Sequence, residues 1–87
     1  GLSKIKRALR AGKFEFGLHF LEELASDELT LEEVVSSILT ASEFDKLTDD
    51  PSNIRYRIFG ISDSGRNIVT IVIYSEGKVF FKTVYEA

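Results

Sequence analysis

The sequence predicts an α+β domain in which N-terminal helices pack on a C-terminal antiparallel β-meander. Two observations support this prediction. Apolar residues recur at helical spacing through the first 40 residues, whereas residues 54–85 form three runs rich in β-branched and aromatic side chains. Helices followed by consecutive strands are typical of the α+β class. The 87 residues are enough for one hydrophobic core.

The first predicted helix is a basic amphipathic segment at residues 1–12. Its apolar residues form one stripe, and the bases lie on the remaining surface. Gly12 suits a helix end, because glycine adopts the left-handed conformation that closes the last turn. We treat residues 13–87 as a single α+β domain that follows this helix. The stripe consists of Leu2, Ile5, Ala8 and Leu9.

A short strand and a second helix are predicted next. KFEF, residues 13–16, alternates apolar and polar side chains as a strand does. From Leu18 the apolar spacing becomes helical, with Glu22 and Glu23 expected to face outward. The predicted buried side of this helix carries Leu18, Leu21 and Leu24.

The third predicted helix starts at a capping box. Thr30 is followed three residues later by Glu33, so each side chain can bond the free backbone N–H of the other residue. The turn at residues 26–29 joins this helix to the preceding one as a helical hairpin. The apolar stripe of the third helix consists of Leu31, Val34, Val35, Ile38 and Leu39.

Strands fill the remainder of the chain. ASEFDKL, residues 41–47, is a candidate strand before the proline-containing turn TDDPSN. Three stronger strands follow at residues 54–61, 67–74 and 78–85, separated by SDSGR and SEGK, which are hairpin connections with a glycine. NIVTIVIY is apolar on both faces, which predicts a central strand.

Alternation along the first of these three strands places Arg55 and Arg57 on one face, with Phe59. In the last strand, Phe80, Lys82 and Val84 are expected to alternate with the residues between them. The simplest arrangement covers one sheet face with helices and leaves Arg and Lys on the other. Whether Arg55, Arg57 and Lys82 share a face depends on strand registers that the sequence leaves open.

Charge is distributed unevenly along the chain. Residues 1–14 carry a net +5, residues 15–50 a net −10 and residues 51–87 a net +2, within a total of −3. The basic segments could face an anion while the acidic segment faces a basic partner. The simpler alternative is that unlike segments fold against each other and neutralise.

Composition narrows the chemistry. The chain lacks cysteine, and its single histidine gives no metal-ligand pattern, so we expect no metal and no cofactor. No apolar run approaches the length of a membrane span, and no apolar segment behind the N-terminal bases indicates a secretory signal. We expect a protein of the cytoplasm with no membrane partner, and leave its oligomeric state open.

The order of several short motifs resembles a known family. LHFLEEL, TLEEVVSSI, DDPSNIRYRIFG, SGRNIVTIVIY and KTVYEA follow one another between Lys13 and Ala87. The most specific pieces are the histidine, the Arg-Tyr-X-X-X-Gly strand and the closing Thr-Val-Tyr. This order resembles a family of small bacterial domains of unknown function that is grouped with RelE-like and BrnT-like toxins.

The resemblance implies a RelE-like fold and a metal-independent endoribonuclease of the mRNA interferase type, silenced by an antitoxin. The catalytic positions that match are His19, Arg57, Lys82 and Tyr85, with Arg55 and Arg66 as further RNA contacts. One departure is that related sequences carry an arginine shortly after the histidine. Here that region holds acids, which would repel a phosphate backbone: Glu22, Glu23, Asp27 and Glu28.

RNA cleavage through the 2′-hydroxyl needs a base, an acid and a cation on the phosphate. His19 could act as base or acid, and Arg57 or Lys82 could stabilise the added negative charge. Tyr85 could donate a proton or stack on a nucleobase. Phosphate contacts are also expected from the basic N-terminal segment, at Lys4, Lys6, Arg7, Arg10 and Lys13.

Each of these residues also has a purely structural interpretation. His19 then stands at a helix start, the strand arginines pair with carboxylates, Lys82 and the basic helix are solvated, and Tyr85 borders the core. On that interpretation the domain is a catalytically silent protein-interaction module. The toxin hypothesis predicts one concave face lined by the bases and His19. The module hypothesis predicts dispersed bases and an exposed apolar groove or sheet edge.

Overall fold

The computed structural model describes all 87 residues and contains three helices and five strands. The predicted α+β class is confirmed, with helices at the N-terminus and most strands after them. The helices are α1 (Ser3–Arg10), α2 (Leu18–Ser26) and α3 (Leu31–Leu39). The strands are β1 (Phe14–Phe16), β2 (Glu43–Leu47), β3 (Arg55–Ile61), β4 (Asn67–Ser75) and β5 (Lys78–Glu86).

The five strands form one sheet in the order β1-β5-β4-β3-β2. Strands β2 to β5 are the predicted antiparallel meander, and β4 is central as its two apolar faces predict. β1 pairs with β5 in parallel, Phe14 beside Val79 and Phe16 beside Phe81, so the sheet is mixed. Parallel neighbours need a long crossover, and the connection from β1 to β5 contains α2, α3 and the strands β2, β3 and β4.

Helix α1 packs into the same core as the rest of the chain. Its apolar stripe is buried against β5 and α3, and the Lys6 ammonium donates to the carbonyl of Ala41 at 2.6 Å. Gly12 has φ +72°, as its predicted role at the helix end requires. The basic helix is therefore docked on the domain.

Helix α2 buries only part of the side that was predicted. Phe20 and Leu24 are buried, whereas Leu18 is 72% and Leu21 45% exposed. The ring of Phe20 stacks on Phe81 at a centroid distance of 4.9 Å. The predicted stripe was therefore right for Leu24 and wrong for Leu18 and Leu21. The contact with Phe81 fixes the rotation of the helix, and the spacing of the leucines does not reveal it.

Helix α3 begins at the predicted capping box. The Glu33 backbone N–H donates to the Thr30 hydroxyl, and the Thr30 N–H donates to the Glu33 carboxylate, both at 3.1 Å. Val34 and Ile38 are fully buried, and the other apolar residues of the stripe pack partly against the core. The helix crosses β3 at Gly60, where no side chain separates the two backbones.

A β-bulge interrupts β5. Ile71 pairs with Thr83 and Val72 pairs with Phe81, so Lys82 is the extra residue. The strict alternation predicted for this strand is therefore wrong after Phe81, which is buried together with Val84 three residues later. The bulge allows Lys82 and its neighbour Thr83 to line the same depression.

Helices cover one face of the sheet and leave the other face uncovered. The helices cover an inner face that includes Ile58, Val72 and Phe81, whereas the opposite face, which we call the open face, carries no helix. No helix is long and apolar enough to cross a membrane. The strand registers place these residues on the open face: Arg57, Phe59, Ile71, Ile73, Phe80, Thr83 and Tyr85.

Candidate functional site

A depression of about 420 Å³ lies where the start of α2 meets β3, β4 and β5. Three of the residues that the sequence singled out line it: His19 from α2, Arg55 from β3 and Lys82 from β5. We call it the basic depression. Its other lining residues are Gly17, Phe20, Ile71, Phe80, Phe81 and Thr83.

His19 stands in the first turn of α2 with 73% of its side chain exposed. Its Nε2 lies 3.3 Å from a carboxylate oxygen of Glu23, one helical turn later. Glu23 in turn accepts hydrogen bonds from the Thr83 hydroxyl and from the backbone N–H of Val84. Glu23 therefore connects the imidazole to β5. The prediction that Glu23 faces solvent was wrong, because its carboxylate faces this strand.

Lys82 and Arg55 supply the positive charge of the basic depression. Lys82 lines the depression, and no carboxylate lies within 4 Å of its ammonium. The Arg55 guanidinium donates from Nη2 to Asp49 at 2.5 Å, while its Nε is buried without a hydrogen-bond partner. Lys82 therefore has no ion-pair partner, whereas Arg55 already binds Asp49 through one of its nitrogens.

Arg57 and Tyr85 share the open face but do not line the basic depression. Arg57 donates to Asp45 at 2.7 Å and lies 5.7 Å from the centre of the Phe59 ring. Tyr85 is opposite Val69 and is 44% exposed. Both strand arginines pair with an aspartate, as the structural interpretation of the sequence expects.

Arg66 lies away from the open face and joins three elements. Its guanidinium donates to the backbone carbonyls of Asp27 at 2.6 Å and Glu28 at 2.7 Å, at the end of α2. It also bonds the carboxylate of Glu86 at 2.7 Å and lies 3.5 Å from that of Glu33. Arg66 therefore links the carboxyl end of α2, the start of α3 and the end of β5, and it satisfies two free carbonyls at the end of α2.

The same contacts shift the pKa of two carboxyl groups. The Ser64 hydroxyl is the main cause that lowers the pKa of Glu33, aided by the Thr30 backbone N–H and Arg66. The hydrogen bond from Arg66 is the main cause that lowers the pKa of Glu86. Both groups are therefore held in the ionised form that these contacts require.

The basic residues of the N-terminal segment lie on the helical side of the molecule. Because the apolar stripe of α1 packs toward the inner face of the sheet, its charged surface faces away from the open face. The structure thus separates this basic set from the basic depression. Lys6 is partly buried at Ala41, and the others are exposed: Lys4, Arg7, Arg10 and Lys13.

Two of the four acids that stand where related sequences carry an arginine have a structural role. Glu23 accepts from the backbone N–H of Val84 at 3.1 Å, and Asp27 accepts from that of Glu86 at 2.8 Å. These bonds cover the edge of β5 beyond the end of the short strand β1. Sequence reasoning missed this role, although His19, Glu23 and Asp27 are spaced by four and so share one side of a helix.

A second depression, of about 510 Å³, lies at the end of α3 between β3 and β4. Its polar lining includes Glu43 and Asn67, and it contains no basic residue. Nowhere in the chain do three or more His, Cys, Asp or Glu side chains group as metal ligands would. Of these two depressions, only the basic one brings a histidine and two basic side chains together.

A family model described as a domain of unknown function (DUF4258) matches residues 16–86. The chain therefore belongs to this family, and the predicted membership of a domain family of unknown function is confirmed. No curated protein and no solved structure matches the chain. The match contains the basic depression and leaves α1 outside.

Proposed function

We propose that this member of the DUF4258 family is a toxin-type, metal-independent endoribonuclease that cleaves RNA at the basic depression. The observation that supports the proposal is the convergence of His19, Arg55 and Lys82 on one depression from three separate elements. The same proposal includes four further statements: the domain is related to RelE-like and BrnT-like toxins, has a RelE-like fold, acts in the cytoplasm and is silenced by an antitoxin.

His19 serves as the base in this mechanism. With Nε2 directed at Glu23, Nδ1 is the nitrogen that takes the proton from the 2′-hydroxyl. The freed oxygen attacks the adjacent phosphorus, and Lys82 and Arg55 neutralise the added negative charge. The bond from phosphorus to the 5′ oxygen then breaks and leaves a 2′,3′-cyclic phosphate. The departing oxygen takes a proton from water to become a 5′-hydroxyl, and the hydroxide that forms takes the proton back from His19.

The open face provides the surface over which the RNA strand extends. Arg57 and Tyr85 flank the basic depression on this face, together with the exposed ring of Phe80. Alternating cations and aromatic rings bind single strands, because phosphates pair with the cations and unpaired bases stack on the rings.

Cleavage of RNA by the purified domain, with and without ribosomes, tests the proposal. His19→Ala and Lys82→Ala should each lower the rate by roughly 100-fold or more, the usual contribution of a positioned proton acceptor or a charge-stabilising cation. Arg57→Ala should weaken RNA binding. Lys78→Ala is the matched control, because Lys78 is an exposed lysine of the same strand outside the basic depression.

The controls decide how the result is interpreted. Circular dichroism should show that each variant remains folded, and the products should carry cyclic phosphate and 5′-hydroxyl ends. Wild-type protein that leaves RNA intact in both conditions refutes the proposal. Equal losses in Lys82→Ala and Lys78→Ala would also refute it, since they would indicate general charge attraction instead of a site.

A second candidate function is a catalytically silent protein-interaction module on the same fold. It is favoured by an exposed apolar surface formed by Phe16, Leu18 and Leu21, which are 36%, 72% and 45% exposed. If this surface binds the partner, replacing both leucines by aspartate abolishes co-purification with the product of an adjacent gene. His19→Ala retains it. The opposite pattern would contradict the module hypothesis.

A further inference from the structure

We propose that the basic depression binds a phosphoryl group by exchange, in which the ligand takes the place of Asp49 on the Arg55 guanidinium. The inference deepens the proposed function, since it names the group that the site recognises and the residue that competes for it. It rests on that function only for the identity of the natural ligand.

Arg55 is arranged to accept a further partner. Its side chain is 25% exposed and lines the basic depression, yet its one ionic bond runs from Nη2 to an Asp49 oxygen. The Nε–H group is buried and out of reach of a ligand, whereas Nη1 is not among the buried atoms and makes no hydrogen bond within the protein. A guanidinium presents its N–H donors in a planar fork that matches a phosphoryl group, so the Nη1 end of Arg55 can bind one.

Asp49 is a partner that can leave. Its side chain is 74% exposed, so the carboxylate returns to water without being buried or left unpaired. The turn that carries it is held by other bonds, from the Ser52 hydroxyl at 2.7 Å and the Asn53 N–H at 2.9 Å to Asp50. Exposed ion pairs of this kind contribute little to stability, so a competing dianion readily displaces one.

Lys82 provides the second contact for the same anion. Lys82, the extra residue of the bulge, lines the same depression as Arg55, and no carboxylate lies within 4 Å of its ammonium. Arg57 differs on both counts, since it lies outside this depression and its bond to Asp45 is supported by a second contact from Nε at 3.3 Å. The exchange is therefore specific to Arg55.

Titration of the full chain with inorganic phosphate tests the exchange. The amide signals of Ile71 and Thr83, which line the depression, report binding in nitrogen–proton correlation spectra. The ionic strength is kept constant with chloride at about 0.15 M, where the Debye length is about 8 Å. Asp49→Asn should tighten phosphate binding by about two- to fivefold, the range that an exposed ion pair is worth. Lys82→Ala should weaken it by a similar or larger factor.

Asp45→Asn is the matched control, since it removes the same charge and releases an arginine of the same strand that does not line the depression. The affinity of the Asp45→Asn protein for inorganic phosphate should remain within a factor of about 1.5 of the wild-type value. Neither Asp45 nor Arg57 lines the depression, and salt screens most of the effect of an exposed charge that does not contact the ligand. Equal tightening in both aspartate variants, or none in Asp49→Asn, overturns the proposal. So does an absence of phosphate-dependent shifts in every protein.

A 2′-deoxy dinucleotide distinguishes this inference from RNA cleavage. It carries a phosphodiester but no 2′-hydroxyl nucleophile, so it reports binding without reaction. Binding that Asp49→Asn tightens supports the exchange even if the domain leaves RNA intact. A domain that cleaves RNA while Asp49→Asn leaves both affinities unchanged refutes the exchange and not the ribonuclease.

Discussion

Gly60 is the position at which α3 approaches β3 most closely, and its replacement by alanine tests how these two elements are packed. A Cβ atom at Gly60 would lie 2.0 Å from the Ser37 carbonyl oxygen and 2.7 Å from its carbonyl carbon. Ordinary contacts of this kind start at 3.4 Å, so the separation has to grow by about 1.4 Å (3.4 minus 2.0).

This displacement is costly because the opposing atoms belong to the backbone. A change of rotamer cannot relieve the contact, so α3 itself has to move away from the sheet. That movement would loosen Val34 and Ile38, both of which are fully buried. Overpacking of a core costs about 1–3 kcal/mol and more where backbone must shift, so we expect a loss of about 3 kcal/mol. In a domain of this size that corresponds to a fall in Tm of roughly 12–24 °C.

Thermal unfolding followed by circular dichroism measures the effect. Gly17→Ala is the control, because no atom lies within 4 Å of the added Cβ and the residue has φ −105°. It should cost less than about 1 kcal/mol, the usual difference between glycine and alanine at a helix start. A Tm for Gly60→Ala within a few degrees of the control would refute the described packing of α3 on β3.

Two further predictions concern stability. The hydroxyl of Thr70 is fully buried without a hydrogen-bond partner, so Thr70→Val should raise the free energy of unfolding by about 1 kcal/mol in urea denaturation, and a loss would show that the hydroxyl is bonded. Glu33 and Glu86 have pKa values lowered from the ordinary 4.5. Their contribution to stability is therefore present above about pH 4.5 and is lost as the pH falls through the folded-state values. Between pH 7 and pH 3 the Tm should fall, and it should fall less in Arg66→Ala; an equal fall in both proteins would contradict the role assigned to Arg66.

Much of the secondary structure follows from local signals. The capping box at Thr30 and Glu33 positions the start of α3, and Gly12 closes the last turn of α1. The SEGK connection forms a two-residue hairpin loop in which Glu76 and Gly77 have positive φ. Each of these signals acts within a few residues, which is why the sequence alone reveals it.

The candidate site was predicted only in part. His19, Arg55 and Lys82 could be named from residue type and motif order, but their convergence depends on the register of β3, β4 and β5. Asp49 and Glu23, which hold two of these side chains, gave no comparable signal. Acids are common at turns and helix surfaces, so their sequence positions do not reveal which cation or backbone group they meet.

Residue patterns alone were enough to predict the order of helices and strands, the central place of β4 and the separation of Arg55 and Arg57 from the core-facing residues. Three other features depend on long-range packing. The parallel pairing of β1, the rotation of α2 on Phe81 and the bulge at Lys82 each depend on contacts between residues far apart in the chain. Such contacts are chosen by the packing of the whole core, and a bulge of one residue is enough to change which side chains meet.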